Sequence, residues 1–530
     1  MKRFSLVVMA LVSLFAAGCK KDNAKEKVYT PEENRLIKTG WYNDYSEHVK
    51  IVYLTLGNAP SNSATDEMLN KLNKILTERV NAELEIMYLP WNNYLSEYNR
   101  LLSRKNGKID LVGTATDWLD AWKNTKLGNF AVLSEENLRQ YANKTYSQVS
   151  AKGDWNQCKY QGKIYLIPED NYAQWINHGF MYRNDWARDA GLDGVHSWND
   201  LTKYFSYLIS LNKPGFVPWD AKGDTDIAGG YILSATDFLV LDGVNAYGLF
   251  GVKKSDLSKI VSPYFEGREL IDFAKLMKRW NDMGVWRKNV LTSNSDNRTQ
   301  FYSGKSGVEQ HHTQTWYTQV RAEMDNRFPG SDVGFFWFGE EKKNITTMTV
   351  THGAMALSSA SKHKARALAV YDLIRNDPEC YRLFNYGIEG KQYEIVKGKD
   401  GKDYYKRPAG YNGDRDGIVT DFWWGRNDNL EVRDIGGSWD EFESINKIYT
   451  ANQMVYPFGE IVWNVDYVNW ELIKISEVCE KYFKNITYGQ VDDPEAYVKQ
   501  FRAELKEYGI ETVIAALQEQ LDDYYAEHRR

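Results

Sequence analysis

A chain of 530 residues is too long for one compact core and calls for two or three domains. Its 66 basic and 72 acidic side chains give a formal net charge of −6, without the basic surplus that a nucleic-acid binder presents. Four widely spaced cysteines (Cys19, Cys158, Cys380 and Cys479) make neither a disulfide framework nor a zinc site, and buried thiols are expected for the last three.

The chain opens with Lys2-Arg3 and an apolar run from Phe4 to Ala17, closed by small residues. That pattern is a secretory signal, and the run falls short of the roughly 20 residues that span a bilayer. Ala16-Ala17-Gly18-Cys19 resembles the lipobox of bacterial lipoproteins. The resemblance implies a signal peptide over residues 1–18, cleavage before Cys19, lipidation of Cys19 and a working domain held at a membrane on its outer face. Acyl chains contribute about 0.8 kcal/mol per buried methylene, so two or three would hold the domain there. Cleavage removes Lys2 and Arg3 and no acid, which moves the net charge to −8. Residues 19–47 are charged and aperiodic, the composition of a solvated linker.

Order begins with the β-branched run Val49-Lys50-Ile51-Val52-Tyr53-Leu54. Met68, Leu72, Ile75, Leu76 and Val80 then keep helical spacing, with Ser63 or Thr65 as the expected cap. A strand over 84–89, a helix over 94–105 and a strand over 109–112 follow. This alternation with short connections is the signature of a parallel sheet, in which ligands bind beyond the carboxyl ends of the strands. Those ends carry Asn58, Trp91, Asp117 and Trp118. Beyond Gln161 a second α/β lobe is expected, with Ser197 capping a helix and further helices over 270–283, 362–376 and 378–386. A last helical stretch, 494–525, is divided at Gly509.

Several segments together resemble the solute-binding proteins of ABC importers, in particular oligosaccharide-binding lipoproteins with a C-terminal domain of unknown function. The likeness is carried by Gly162-Lys163-Ile164-Tyr165-Leu166-Ile167-Pro168, Met181-Tyr182-Arg183-Asn184-Asp185-Trp186 and Phe301-Tyr302-Ser303-Gly304-Lys305-Ser306-Gly307-Val308. Gly353-Ala354-Met355-Ala356-Leu357-Ser358, Asn385-Tyr386-Gly387-Ile388-Glu389-Gly390 and Ile510-Glu511-Thr512-Val513-Ile514 extend it. It implies an α/β, two-lobed periplasmic-binding-protein-like fold with a hinge and an extra C-terminal helical region. The expected division is an N-terminal lobe of 48–160 plus 305–345, a C-terminal lobe of 161–304 plus 346–400, and a C-terminal hairpin and helical extension over 401–530 packed on the lobes. The implied partners are an oligosaccharide or other polar solute, importer permeases and the membrane through Cys19. The implied state is a monomer, with no cofactor and no nucleic acid.

The 18 tryptophans and 36 tyrosines suit sugar rings, whose C–H faces stack on indole while their hydroxyls take polar partners. Trp175 lies between Gln174 and Asn177, Trp219-Asp220 follow Pro218, and Trp423-Trp424 precede Gly425-Arg426-Asn427. These join the candidates, as does one of the pair His311-His312 together with Trp316. His311 and His312 are adjacent on an expected strand, point to opposite sides and hold no common metal. Gly304-Lys305-Ser306 lacks the earlier glycine of a phosphate loop, and Val308 breaks a nucleophile elbow. Residues 412–423 mimic a calcium loop but end in Trp423 where glutamate belongs, so a polar hairpin turn is expected. A binding protein without catalytic function is therefore expected. The alternatives are a secreted carbohydrate-active enzyme with a Trp-rich cleft and a helical-repeat glycan-binding lipoprotein, the latter disfavoured by the early strand–helix alternation.

Overall fold

The computed structural model describes residues 29–170, 178–222, 227–244 and 247–528. The chain builds α1 (Pro31–Thr39), β1 (Val49–Leu56), α2 (Ala64–Val80), β2 (Ala82–Leu89), α3 (Tyr94–Ser103), β3 (Leu111–Thr114) and a short β4 (Ile167–Pro168). It continues with β5 (His178–Tyr182), α4 (Trp198–Ser210), α5 (Glu269–Met283), β6 (Val308–His312) and β7 (Gly334–Trp337). Next come β8 (Ala354–Leu357), α6 (Lys364–Asn376) and α7 (Pro378–Tyr386), then α8 (Asn469–Thr487), α9 (Pro494–Glu507) and α10 (Ile510–His528).

The first lobe is a five-stranded sheet in the order β2-β1-β3-β8-β4. β1 lies parallel to β2 and β3, as the strand–helix alternation predicts, whereas β8 pairs antiparallel with β3 and β4. Met68, Leu72 and Leu76 form the buried stripe of α2 and pack on Ile51, Leu54 and Leu84 of the sheet. Ser63 takes the N-cap position of α2 but makes no capping bond. Instead Asn62 Oδ1 accepts the Ala64 N–H at 2.8 Å.

The second lobe has the antiparallel sheet β6-β5-β7 and a core rich in aromatic rings. Trp198 on α4 stacks on Trp280 of α5 (centroids 5.7 Å apart), and Trp280 Nε1 donates to Thr202 Oγ1 at 2.9 Å. That bond satisfies the indole N–H that burial would otherwise leave unpaired. α4 begins where Ser197 accepts the Asp200 N–H, as expected. α8, α9 and α10 close this core with Ile475, Tyr482, Phe501, Leu505, Val513 and Leu517, and Gly509 at φ +89° separates the last two helices. The lobes thus form a two-lobed α/β fold in which the chain crosses three times. It passes from β4 to β5, from β7 to β8, and from Trp424 in the first core to Phe458 in the second.

The structure corrects the expectations on lobe boundaries, on the linker and on the 412–416 turn. Segments 305–345 and 346–400 exchange lobes: Val308–His312 lie opposite Tyr182–His178 of the second sheet, while Ala354–Leu357 lie opposite Thr114–Leu111 of the first. Strand pairing over more than a hundred residues decides this, and no local pattern reports it. Residues 401–530 contribute to both lobes, since Phe422 and Trp424 belong to the first core and α8–α10 to the second. Within the segment assigned as linker, 19–47, the described residues from Tyr29 onward include a helix. Thr30 and Glu33 form a reciprocal capping box with Pro31 at the first helical turn of α1. The turn after α1 is then bolted to α6, where the Arg366 guanidinium donates to Asn43 Oδ1 and to the Asp44 and Glu47 carbonyls. At 412–416 a short helix, Gly413–Asp416, replaces the expected hairpin turn. Cys158, Cys380 and Cys479 are buried free thiols. No helix among the described residues is long and apolar enough to cross a membrane, and Cys19 lies outside them.

The first crossing leaves from an ion pair. Arg375 on α6, fully buried, donates to the Pro168 carbonyl (2.7 Å), Tyr371 Oη (3.1 Å) and Asp170 Oδ1 (3.2 Å). Arg375→Leu leaves Asp170 with Lys152, whose Nζ donates to the same oxygen at 2.9 Å, but takes the donors from the buried Pro168 carbonyl and Tyr371 hydroxyl, so it is expected to cost about 2 kcal/mol in urea unfolding. An unchanged midpoint would show that this pair does not hold the base of the crossing.

Candidate functional site

Between the lobes lies a cleft with two adjoining cavities that share Asp117. The smaller, ≈ 520 Å³, is lined from the first lobe by Asp117, Trp118, Glu169, His352, Trp424 and Arg426 among others, and from the second by His312 and Gln314. The wider, ≈ 810 Å³, includes Tyr94, Phe338, Asp242, Thr349 and Tyr456. Both volumes fall in the range of small-molecule sites.

The first-lobe wall is a ladder of four indoles. Trp91 stacks on Trp118 (6.2 Å, 19°) and on Trp423 (5.7 Å, 23°), and Trp118 stacks on Trp424 (5.6 Å, 28°). Trp91 follows the carboxyl end of β2, and Trp118 lies just past β3, so the strand ends deliver both. Trp424 is the root of the ladder: 1% exposed, with Nε1 donating to Thr55 Oγ1 of β1 at 3.1 Å. Its ring occupies the space above Gly113, where a Cβ would lie 2.2 Å from Nε1. Trp91 and Trp423 are 43% and 39% exposed. The inner rings are therefore fixed by packing, and the outer ones keep apolar faces in water.

Beside the ladder the cleft floor is ionisable. His352 Nδ1 donates to Asp117 Oδ2 at 2.7 Å. Burial works against charge on His352, but the Asp117, Glu169 and Asp242 carboxylates outweigh it and raise its pKa above the usual value. Glu169 is buried beneath Gly353, where a Cβ would lie 2.4 Å from Oε1. Burial pushes its pKa up to about 7, against the pull of Arg426, His352 and Arg375. Asp242, from the second lobe, accepts the Thr116 and Thr349 hydroxyls, each at 2.9 Å, and so ties the lobes together beneath the cleft. Burial and the nearby Asp117 raise it to about 6. Opposite, desolvation lowers His178 and His311 to about 4 and His312 to about 2, so these rings are neutral hydrogen-bonding groups at pH 7.

Of the residues singled out in the sequence, the fold brings Trp91, Asp117, Trp118, Trp423 and Trp424 together. Asn58 is exposed past β1 and lines neither cavity. Trp219 is buried edge-on against Phe180 (5.2 Å), and Asp220 is paired with Arg287 and Ser295 inside the second lobe. Trp316 stacks on Phe335 and donates to the Val333 carbonyl at 2.8 Å. His311 bonds Thr315 Oγ1 at 2.9 Å and lines a separate cavity, so its neighbour His312 is the one that faces the ladder. Trp175 lies outside the described residues. Sequence reasoning missed Glu169, Asp242, His352 and Arg426. Glu169, directly after the short strand Ile167–Pro168, His352, two residues before β8, and Arg426, in the stretch that follows Trp423-Trp424, carried a positional signal. Among the described residues no cluster of three or more His, Cys, Asp or Glu is arranged to hold a metal ion.

Among the carboxylates that raise the pKa of His352, Asp117 is the one bonded to it. Titration of His352 by NMR is expected to give a midpoint above the ordinary histidine value, falling when Asp117→Asn removes the carboxylate. A midpoint insensitive to that change would place the source of the shift elsewhere.

Comparison with known proteins accords with this geometry. Residues 458–526 match a family model described as a domain of unknown function, DUF3502. A carbohydrate ABC transporter substrate-binding protein of Streptococcus pneumoniae is 24% identical over 491 residues, covering 88% of this chain and 89% of the relative. Among solved structures, the N-glycan transport solute-binding protein NgtS of S. pneumoniae, in complex with Man1GlcNAc, superposes with a TM-score of 0.66 at 21% identity, over 90% of this chain and 99% of its own. The alginate-binding protein AlgQ2 gives 0.62 at 15% identity, over 89% and 98%. An HMO-binding, ABC-transporter-associated solute-binding protein of Bifidobacterium longum infantis gives 0.61 at 16%, over 90% and 99%. The two-lobed solute-binding fold is common to all of them.

Proposed function

We propose that this chain is the solute-binding subunit of an ABC importer, which captures an oligosaccharide between its lobes and is held at the outer face of a membrane by lipid on Cys19. The observation that carries the reading is the indole ladder. Half-exposed Trp423 lines the smaller cavity with Trp118 and Trp424, beside carboxylate and imidazole groups and with His312 and Gln314 of the other lobe, and half-exposed Trp91 stacks on Trp118 and Trp423. Flat apolar faces beside hydrogen-bonding groups match a pyranose, which has C–H faces and a rim of hydroxyls. Pre-formed stacking limits the ordering cost on binding. The three crossings form the hinge, and a ligand touching both walls favours closure by what it gains there over the open form. The names of the similar proteins favour a glycan, and they span neutral N-glycans and an acidic polyuronide.

Calorimetry against an oligosaccharide panel, with product analysis, tests the reading. A ligand at a hundred times its Kd should raise the unfolding free energy by about 2.7 kcal/mol, and no shortened sugar should appear. Trp91→Ala and Trp423→Ala are each expected to weaken binding about tenfold (about 1.4 kcal/mol) with little change in Tm, because both rings are half exposed. Release of shortened sugars would replace the transport reading with an enzymatic one.

A further inference from the structure

The cleft holds buried acceptors that the protein itself leaves unmatched. Asp117 Oδ1 and Glu169 Oε2 have no hydrogen-bond partner, although the second oxygen of Asp117 is bonded to His352. Both residues line the ≈ 520 Å³ cavity beside Trp118 and Trp424, and Glu169 is only 9% exposed. An unmatched buried acceptor of this kind costs about 1–3 kcal/mol, more when charged, and a ligand that supplies the donor recovers it. The basic groups nearby are already engaged: Arg426 Nε donates to Glu431 Oε1 at 2.8 Å, and His352 Nδ1 bonds Asp117. Across the cleft His312 contacts His178 (ring centroids 4.1 Å apart), and both rings are neutral at pH 7.

Resting on the reading of the cleft as a sugar site, we infer that it selects an uncharged, hydroxyl-rich saccharide whose hydroxyls donate to Asp117 Oδ1 and Glu169 Oε2, and that it refuses chains bearing carboxylate or sulfate at this position. An ionised sugar acid brings further acceptors and negative charge to two carboxylates, whereas a sugar hydroxyl donates to them and stays neutral. Hydroxyl donors also favour the ionised form of Glu169. The groups that act on Glu169 are Arg426, His352 and Arg375, which favour its charge, and Asp428, which opposes it. Because free Glu169 titrates near 7 and donors lower that value in the complex, the ligand binds the deprotonated protein better. Affinity then rises with pH through the neutral range and levels off above it.

The test is calorimetric titration of the full chain with neutral manno-, gluco- and fructo-oligosaccharides and, in parallel, with oligouronates and sulfated oligosaccharides of matched length. Neutral sugars are expected to bind, and the acidic ones to bind at least about a hundredfold more weakly. Wild-type affinity is expected to rise between about pH 6 and pH 8, while Glu169→Gln binds about tenfold more weakly and is flat across that window. Asp117→Asn, at a more exposed position, is expected to lose a similar factor without the loss of Tm that a folding defect in Glu169→Gln would bring. Acidic sugars binding as tightly as neutral ones, or tighter, would overturn the inference and leave sugar capture standing. Absence of binding to either panel would overturn both.

Discussion

The structure depends on one long-range strand pair. β3 finds its antiparallel partner in β8, some 240 residues further on, with Thr114 opposite Ala354 and Leu111 opposite Leu357. Because the first sheet is completed only when the chain has returned from the second lobe, neither lobe is a continuous segment. The same pair sets the site. Asp117 and Trp118 leave β3 at the end where His352 and Gly353 enter β8, which brings the imidazole and the carboxylate into contact at 2.7 Å.

The chemistry of the cleft follows from where the sheet ends. Its edge supplies residues without covering them, so Trp91 and Trp423 remain in water while Trp424 and Glu169 sit below. Burial then acts in opposite directions on acids and bases. It lifts the pKa values of Glu169 and Asp242 and holds the facing His178, His311 and His312 uncharged at pH 7.

Much of this was legible in the sequence wherever the signal was local. The β1-α2-β2-α3-β3 alternation, the Ser197 cap and the break at Gly509 all rest on spacing or on a single backbone preference, and each is present. The rule that ligands sit past strand carboxyl ends also picked out Trp91, Asp117 and Trp118. The same composition misled at Trp219-Asp220 and Trp316, whose surroundings are set by segments far away in the chain. Burial turned those indoles into core, and Arg287 turned Asp220 into an internal ion pair. The choice between His311 and His312 is one of strand parity, decided by which face of β6 meets the ladder. The lobe exchange of 305–345 and 346–400 has the same origin, since sheet pairing chooses partners that the intervening residues do not announce. The helix over Pro31–Thr39 was readable from its capping box and was obscured by the charge around it.

The fit of Trp424 over Gly113 reaches beyond packing. A position filled by a neighbour's ring is barred to every side chain larger than hydrogen for as long as that ring stays. Across descendants of this chain the two sites should therefore be inherited as one character. A glycine lost at 113 has to be accompanied by a smaller residue at 424, and any lineage that abandons the root indole gains freedom at a strand that was closed to variation.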